Sequence, residues 1–444
     1  MQELARETAI LPPATSSAGI RHTLAGAVLL ALVLRLVVVA FLYPGQLNPR
    51  ADHWPFGYET GRIARAIASG RGFSDPLFPG TGPTAWMGPV YPYLAAEVFK
   101  LCGIFTKASA IVLLSLDSLF SAFTCVPIFF IARRCFGQKT ANAAAWGWAL
   151  FPYAVLLSAG MIWDMCLTTL LLALLLWISL ELERTQGPAP WIGFGLLAGV
   201  TALTNPTIAI LFPVLAGYAC YRRSSLGIPG WRKAVIFATL AVVVVLLPWE
   251  VRNYSAFHRL VPLRDNFWLE VWIGNNGDTS FWTEQAAHPF SNPTEAEQFR
   301  RLGETRYMEK KKSDALAFIA AHPGWVARQT LRRVSYTWTG FWGMPEHPIR
   351  EDFDADEPFD PAFVVFCTGM TVLMIIGLRR AFRNQLETRW LFVAALVTIP
   401  FVYYITRPHA RYRHPLDPLI VMAAAYALTG RKDSDARAQR KLQA

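Results

Sequence analysis

Three carboxylates follow the first apolar segment of the chain, in the stretch DHWPFGYETGRIARAIASGRGFSDP. The first two are Asp52 and Glu59, seven residues apart. A helix over 57–69 places Glu59 on one face with Arg62. A carboxylate held at a membrane surface can act as a general base or as a metal ligand. The alternative is an ordinary Glu–Arg pair on the protein surface.

A third acid, Asp164, follows Trp163 at the beginning of another apolar segment. An acid in this position interacts favourably with the positive end of the helix dipole. The alternative is that Asp164 faces the same cavity as Glu59. The six cysteines form no CxxC pair and no zinc motif, so no metal site is assigned. The residues require no cofactor, and a divalent cation is left open as an alternative.

A basic loop lies between the last two apolar segments, with the sequence RPHARYRHPLDP (407–418). It is on the face that the positive-inside rule leaves poor in arginine. We therefore predict that Arg411, Arg413 and His414 bind an anion, because guanidinium forks match phosphate oxygens. The alternative is contact with anionic lipid headgroups. Arg252, in the stretch PWEVRNY, is the next candidate for the same anion.

Two charged residues lie inside apolar segments, Arg35 and Asp117. Each is eight residues from the predicted external end of its segment. A charge within a bilayer needs a partner. Because the two residues lie at matching depth, we predict that they pair with each other in a structural role.

The composition around these residues is that of a polytopic membrane protein. Of the 444 residues, 53% are hydrophobic and 16% are charged, whereas a soluble protein has about 25% charged residues. The first apolar run, 23–43, is too long for the hydrophobic region of a signal peptide, and no small-residue cleavage site follows it. The net charge of +11 is assigned to cytoplasmic loops rather than to nucleic-acid binding.

The apolar runs predict an all-α bundle of about ten transmembrane helices. A further run, 88–103, has only sixteen residues, and its assignment decides the topology. If it does not cross the membrane, the basic clusters at Arg133, Arg222, Arg379 and the C-terminal tail lie on one side with the N-terminus, as the positive-inside rule requires. The run is therefore predicted to be a re-entrant or interfacial helix.

This topology gives the chain two external loops. The predicted divisions are a cytoplasmic tail at 1–22, a transmembrane core at 23–250 with the first external loop at 44–108, an external loop domain at 251–360, transmembrane helices at 361–430 and a cytoplasmic tail at 431–444. In the larger loop, which is predicted to be mostly helical, NPTE at 292–295 is typical of a helix start. That helix is predicted to end near Ala321. The active face is predicted to be the periplasmic side of a bacterial inner membrane.

Several short motifs, in this order, resemble those of the membrane-embedded GT-C glycosyltransferases. They are YETGRIARAIASGRGFS in the first external loop, GPTAWMGPVYPYLAAEVFKLCGIF after it, and a span that closes in IARRCFG. The likeness is closest to glycosyltransferase family 39, with its protein-mannosyltransferase and aminoarabinose-transferase relatives. It covers roughly residues 20–250 and the closing ARYRHPLDP.

The resemblance implies a GT-C-like bundle and a specific activity. Such proteins take a sugar from a polyprenyl-phosphate carrier on the external face, with a first-loop carboxylate as the base. That role falls here to Glu59 or Asp52, and the second acid corresponds to Asp164. The residues implied to meet the carrier phosphate are Arg411, Arg413 and His414. The family often has adjacent Asp-Glu acids in the first loop, whereas here the two acids are separated.

The predicted function is transfer of a hexosyl or pentosyl group from a polyprenyl-phosphate carrier to an external glycan, lipid or protein. A carboxylate removes the proton of the acceptor while arginines stabilise the departing phosphate. Two alternatives belong to other classes: a secondary transporter, and a noncatalytic envelope subunit that binds the lipid carrier. The sequence has no visible inverted repeat to favour a transporter, and a long external loop suits an enzyme better.

Overall fold

The computed structural model describes residues 17–42, 56–277, 287–340 and 361–430. Within these ranges the chain is helical, and its β structure is one isolated bridge between Ser74 and Pro83. The predicted all-α class is confirmed. The helices are α1 Ser17–Leu42, α2 Glu59–Ala68, α3 Val90–Cys102, α4 Lys107–Phe123, α5 Cys125–Phe136, α6 Gln138–Ala149, α7 Pro152–Gly160, α8 Met165–Glu181, α9 Ala189–Thr204, α10 Phe212–Ser225, α11 Trp231–Phe257, α12 Phe267–Gly274, α13 Pro293–Leu302, α14 Glu304–Ala321, α15 Pro323–Thr339, α16 Pro361–Arg383, α17 Arg389–Ile405, α18 Ala410–Arg413 and α19 Asp417–Thr429, with 3₁₀ turns at Pro206–Leu211 and His414–Leu416.

Long apolar helices make this an integral membrane protein. In the described ranges, four helical stretches are long and apolar enough to cross a membrane, or five if the bent pair α6–α7 is one span. The four lie in α1, α4–α5, α11 and α16. Helices α8, α9 and α17 are apolar but shorter. The apolar bundle is therefore present, but the predicted number of ten spans is not confirmed.

Prolines explain why two apolar segments are not single straight helices. Pro152 begins α7, and Phe151 before it is extended, with φ −65° and ψ 111°. A residue that precedes proline is disfavoured in helical conformation, so the chain bends by 41° between α6 and α7. Pro206 follows α9 in the same way, after an extended Asn205. The second break places the Asn205 side chain at a helix end, beside the polar pocket described below.

Two hydrophobic clusters hold the fold together. The first lies within the apolar bundle, where Trp148 and Leu419 are buried. The second contains Ile63 of α2 together with Phe299 and Tyr307 from the larger loop. The second cluster therefore joins the two segments that are predicted to be external loops. Burial of aromatic and aliphatic side chains of this size stabilises this second cluster.

Small residues let the helices of the bundle approach closely. A Cβ atom on Gly195 would lie 2.2 Å from the carbonyl oxygen of Ala238. The backbones of α9 and α11 are thus in direct contact. Close contacts of this kind drive helix association in membranes, where the hydrophobic effect between helices is absent.

The predicted pair between Arg35 and Asp117 does not form. Buried Arg35 donates to Ser121 Oγ at 2.9 Å and to the backbone carbonyl of Ala149 at 3.1 Å. That carbonyl is at the end of α6, where the break removes the helical donors and the helix dipole is negative. Asp117 instead accepts a hydrogen bond from the hydroxyl of Tyr91 at 2.6 Å, which ties α4 to α3. Each residue therefore has its own partner.

The helix start predicted at Asn292 is present, but the segment from there to Ala321 forms two helices. Asn292 caps α13, and its side chain accepts the backbone N–H of Thr294 at 2.8 Å. The helix ends at Leu302 rather than near Ala321, because Gly303 adopts a φ of 73°. A second helix, α14, then runs to Ala321.

Glu304, the first residue of α14, links the two external loops. Its carboxylate accepts the Thr84 hydroxyl at 2.5 Å and the Ala85 backbone N–H at 2.6 Å. Both donors stand just before α3. Helix α3 has 13 residues and so a length of about 20 Å, which is short of the ~30 Å hydrocarbon core. Its interfacial placement stays a prediction.

Candidate active site

A pocket opens where the ends of several helices meet the two external loops. It encloses about 910 Å³, including space open to solvent. Its walls come from the start of α2, the segment before α3, the α7–α8 junction, the ends of α9 and α17, the start of α12, and α18. The charged and titratable residues that line it include Glu59, Asp164, Arg264, Glu270, His288, Arg407 and Arg411. Acids and arginines therefore face one cavity.

Glu59 is the first residue of α2, and a glycine brings it to the pocket. Gly57 has a φ of +73°, and a Cβ atom there would lie 2.3 Å from the carbonyl oxygen of Ile162. Only glycine allows this approach to the α7–α8 junction. Glu59 and Arg62 are both buried, and the Arg62 guanidinium carbon lies 4.2 Å from the centre of the Phe290 ring. The alternative of an exposed Glu–Arg pair therefore does not hold.

The surroundings of Glu59 raise its basicity. Burial raises the pKa of the Glu59 carboxyl; nearby Arg62 and Arg411 oppose this effect, and Glu270 adds to it. The Nε2 atom of His288 is 3.5 Å from Oε1 of Glu59. A general base is most effective when its pKa lies near the working pH. The upward shift of the Glu59 pKa from the ordinary carboxylate range is therefore in the direction that a general base requires.

Asp164 shares the pocket with Glu59. It lies in the junction just before α8, but its side chain does not cap that helix. Its Oδ2 accepts hydrogen bonds from Asn205 Nδ2 at 3.2 Å and Thr168 Oγ1 at 3.3 Å. Burial raises the pKa of Asp164 to about 6, with Arg264 opposing. Two buried acids with raised pKa values thus line one cavity, a pattern typical of functional sites.

Arg411 enters the pocket from α18, stacked on aromatic rings. Its guanidinium carbon lies 4.7 Å from the centre of the Trp163 ring and 5.1 Å from that of Tyr412. Stacking uses the face of the guanidinium, while its N–H donors lie in the plane and point outward. Arg407 also lines the pocket, and its Nε is 3.2 Å from Glu270 Oε2. The pocket therefore presents cations opposite carboxylates.

The other two predicted anion-binding residues of the basic loop, Arg413 and His414, do not line this pocket. Arg413 Nε is 3.3 Å from Asp417 Oδ1, and its Nη2 donates to the sulfur of Cys367 at 3.4 Å. His414 Nδ1 is 3.0 Å from Asp417 Oδ2, and its ring stacks on Trp148. Asp417, one turn further along the chain, attracts both side chains into the helical bundle. The structure therefore does not bring these two residues to the pocket, and their role at a carrier phosphate stays a prediction.

Arg252 is also placed away from the pocket. It donates to the backbone carbonyls of Thr84, at 2.6 Å, and Phe73. Its guanidinium carbon lies 5.0 Å from the centre of the Trp249 ring. Arg252 therefore fastens the first external loop to the end of α11. Asp52, the other predicted base, lies outside the described residues.

Four acidic or basic pocket residues were not predicted from the sequence: Arg264, Glu270, His288 and Arg407. Glu270 is the single acid in the aromatic-rich stretch NFWLEVWIGNNG. A carboxylate among aromatic residues at a membrane boundary was the signal that could have identified it. His288 and Arg264 belong to no motif, so only the packing of the loops brings them to the pocket.

Metal binding has no assembled site in the part of the chain that the structure describes. No group of three or more His, Cys, Asp or Glu side chains there is arranged to hold an ion. Because Asp52 lies outside this part, the divalent-cation alternative stays open.

Two solved structures of an archaeal oligosaccharyltransferase share this architecture. The crystal structure of apo oligosaccharyltransferase from Archaeoglobus fulgidus matches with a TM-score of 0.55 and 15% identity, over 96% of this chain and 52% of that chain. The oligosaccharyltransferase AglB from the same organism, in complex with an inhibitory peptide and a dolichol-phosphate, matches with a TM-score of 0.54 and 15% identity, over 95% and 51% of the chains. The chain has the GT-C fold. It spans about half the length of these structures.

A family model matches the part of the GT-C core that contains the α7–α8 junction. Residues 85–249 match the family described as dolichyl-phosphate-mannose-protein mannosyltransferase. The resemblance predicted from the sequence is thereby confirmed. ArnT from Cupriavidus metallidurans bound to undecaprenyl phosphate is a more distant match, with a TM-score of 0.37 and 14% identity over 94% of this chain and 78% of that chain. No curated protein matches the sequence.

Proposed function

We propose that the protein is a glycosyltransferase that moves a sugar from a polyprenyl-phosphate carrier to an acceptor hydroxyl or amine. The observation that carries this proposal is the pocket itself. It holds buried carboxylates, Glu59 and Asp164, together with Arg411 and Arg407, at the ends of apolar helices in a GT-C fold. A carrier headgroup lies at this level of a bilayer, and a sugar phosphate needs both a base and a cation.

The proposed active face is external, on the periplasmic side of a bacterial inner membrane. Helix α8 begins beside Asp164 at the pocket. Just past its other end, Glu183 contacts Arg134 and lies 3.0 Å from Arg222 Nε. The 17 residues of α8 separate the two ends by about 25 Å. Because basic clusters collect on the cytoplasmic side, the pocket opens on the opposite side.

The proposed reaction is a direct displacement at the anomeric carbon. The acceptor oxygen or nitrogen forms a bond to that carbon while the bond from carbon to the phosphate oxygen breaks. The acceptor proton passes to the Glu59 carboxylate. The electron pair of the broken bond leaves with the phosphate, whose charge Arg411 stabilises. Attack opposite the leaving group inverts the anomeric carbon.

The test of this function is carrier turnover in reconstituted proteoliposomes. A panel of polyprenyl-phosphate hexoses and pentoses is supplied together with a cell-envelope extract containing glycans, lipids and proteins as acceptors. The readout is release of free polyprenyl phosphate. Glu59→Gln removes the proton acceptor but keeps the shape, so turnover should fall by about 10²–10⁴-fold. Glu97→Gln is the matched control, because Glu97 is exposed on α3 and should retain full turnover.

Other results would assign the role differently. Full turnover in Glu59→Gln with loss in Asp52→Asn or Asp164→Asn assigns the base to that aspartate. Full turnover in all three variants contradicts a carboxylate base. Transport of the carrier or of a solute without release of polyprenyl phosphate favours a transporter, and carrier binding with neither favours a noncatalytic subunit.

A further inference from the structure

His288 reaches the proposed base from the larger external loop. Its Nε2 lies 3.5 Å from Glu59 Oε1, and the two side chains are only 7% and 12% exposed. The imidazole also makes an edge-to-face contact with Trp86, with ring centres 5.5 Å apart. Because the side chains of His288 and Glu59 are almost fully buried, solvent screens the electrostatic interaction between them only weakly.

A backbone hydrogen bond determines which nitrogen of His288 carries the proton. The N–H of Phe290 donates to His288 Nδ1 at 3.1 Å. A backbone N–H can only donate, so Nδ1 must supply a lone pair. The neutral ring then carries its hydrogen on Nε2, the atom that faces Glu59.

We infer that His288 is a positioning residue for Glu59, whose carboxylate it holds toward the pocket through its Nε2–H. This inference rests on the proposed role of Glu59 as the base. The 3.5 Å separation is longer than an N–H···O bond of about 2.7–3.2 Å. Contacts of catalytic groups are often long in the absence of substrate and shorten when the site fills.

A neutral donor suits this position better than a cation. Glu59 already faces Arg62 on its own helix and Arg411 on α18, while Glu270 on α12 has the opposite effect. A further cation would hold the carboxylate as an ion pair and weaken it as a base. Protonation of His288 would place a hydrogen on Nδ1 against the Phe290 N–H. The hydrogen bond from Phe290 thus favours the neutral ring with its hydrogen on Nε2.

Two substitutions separate this role from a role in shaping the loop. His288→Gln places an amide N–H near the position of Nε2 but has no acceptor for Phe290. His288→Asn places a carbonyl oxygen near Nδ1, which keeps the bond to Phe290, but has no donor for Glu59. The measurement is the pH dependence of polyprenyl-phosphate release, with the donor of the panel that turns over fastest.

The inference predicts different outcomes for the two variants. In His288→Asn, kcat should fall by about tenfold to hundredfold, with little change in KM for the carrier. The acidic limb of its pH profile should move upward by about one unit, because the ionised carboxylate has lost a donor. His288→Gln should keep the acidic limb in place. In a Glu59→Gln background, His288→Asn should cause no further loss.

The opposite pattern overturns the inference. A His288→Asn variant with the kcat and pH profile of the wild type, together with an inactive His288→Gln, shows that His288 only shapes the loop. If Glu59→Gln loses activity and His288→Asn does not, this inference fails and the proposed function stands. If the wild type releases no polyprenyl phosphate, or Glu59→Gln keeps full activity, the proposed function fails and the inference fails with it.

Discussion

Two buried aspartates stand at the beginnings of apolar helices, and their surroundings differ. Asp417, the first residue of α19, is fully buried and faces Arg413 at 3.3 Å and His414 at 3.0 Å. Asp164, just before α8, is 5% exposed and accepts hydrogen bonds from neutral donors such as Asn205. Within the described ranges, no salt bridge reaches Asp164. The first charge is paired inside the bundle, whereas the second lines the pocket, where the charge of Arg264 opposes the effect of burial.

Two arginines of the basic loop 407–418 differ in the same way, one being paired in the bundle and the other lining the pocket. Arg411 and Arg413 are two residues apart in α18, and both are buried. Arg413 is paired with Asp417, whereas Arg411 stacks on Trp163 at the pocket. Charge alone therefore does not identify a functional residue here. A buried charge whose partner is already in place stabilises the fold, and one that faces a cavity can interact with a substrate.

The largest expected effect is on folding, from Asp417→Asn. The change leaves Arg413 buried without its counter-charge. Breaking a buried pair on one side costs about 3–5 kcal/mol in free energy of unfolding. We expect a markedly lower thermal unfolding midpoint in detergent, and little monodisperse protein. If Asp417→Asn folds normally but no longer binds a polyprenyl-phosphate carrier, the structural assignment of this pair is wrong.

A second effect concerns the pH dependence of stability, tested with Asp164→Asn. Burial raises the pKa of Asp164 from its ordinary 3.8 to about 6, a difference equivalent to about 3 kcal/mol. The folded protein therefore binds this proton more tightly than the unfolded chain. Its contribution to the free energy of unfolding is greatest below pH ~4 and is lost as the pH rises through ~6.

Asp164→Asn keeps an acceptor for Asn205 but cannot ionise. Above pH 7, we expect the variant to unfold at a higher temperature than the wild type, while the two converge near pH 4. Unfolding midpoints between pH 4 and 8 measure this difference. If the unfolding midpoints of the two proteins change in parallel with pH, the charge of Asp164 is compensated in the folded protein, as that of Asp417 is.

The helical bundle and part of this contrast could be predicted from the sequence. Glu59, Asp164 and Arg411 stand at ends of apolar segments on one predicted face, so their convergence follows from the topology. The difference between Arg411 and Arg413 depends on which way each side chain leaves a four-residue helix. Asp417, four residues after Arg413, was the signal that could have assigned Arg413 to an i,i+4 pair.

Other features depend on packing between distant segments. Arg35 appears in the sequence as a charge in need of a counter-charge. Its partners are instead a hydroxyl and backbone carbonyls. The carbonyl of Ala149 is available because the chain bends between α6 and α7. His288 meets Glu59 only because the larger loop folds over the first one. Neither contact leaves a periodic pattern in the sequence.

A third prediction separates the two arginines through carrier binding. Arg411→Ala should weaken carrier turnover by about tenfold to hundredfold, because a charged hydrogen bond contributes about 1.5–3 kcal/mol. Arg411→Lys should retain only part of the turnover that Arg411→Ala loses, since lysine lacks the planar fork that stacks on Trp163. Polyprenyl-phosphate release in neutral lipid is the measurement, so that anionic headgroups do not contribute.

Arg413→Lys is the matched control for this prediction. It should lower the unfolding midpoint while the protein that remains folded keeps its turnover. If both lysine variants turn over like the wild type in neutral lipid, Arg411 is not the phosphate-binding residue. A turnover loss in Arg413→Lys at unchanged stability would show that the two arginines have been assigned the wrong way round.

The smallest expected effect concerns Arg407 and Glu270, a pair that shares one feature with Asp417 and one with Asp164. Their charges are paired, as at Asp417, but they line the cavity, as Asp164 does.

Glu270→Gln keeps an acceptor for Arg407 and removes a negative charge that raises the pKa of Glu59. The acidic limb of the pH–rate profile should therefore move slightly downward. KM for the carrier should fall by no more than about fivefold, since a partly exposed pair contributes about 1 kcal/mol or less. A steady-state pH series measures both changes. A large loss of activity would instead show that Glu270 takes part in the chemistry, and that pairing with a cation does not mark a residue as structural when it lines the pocket.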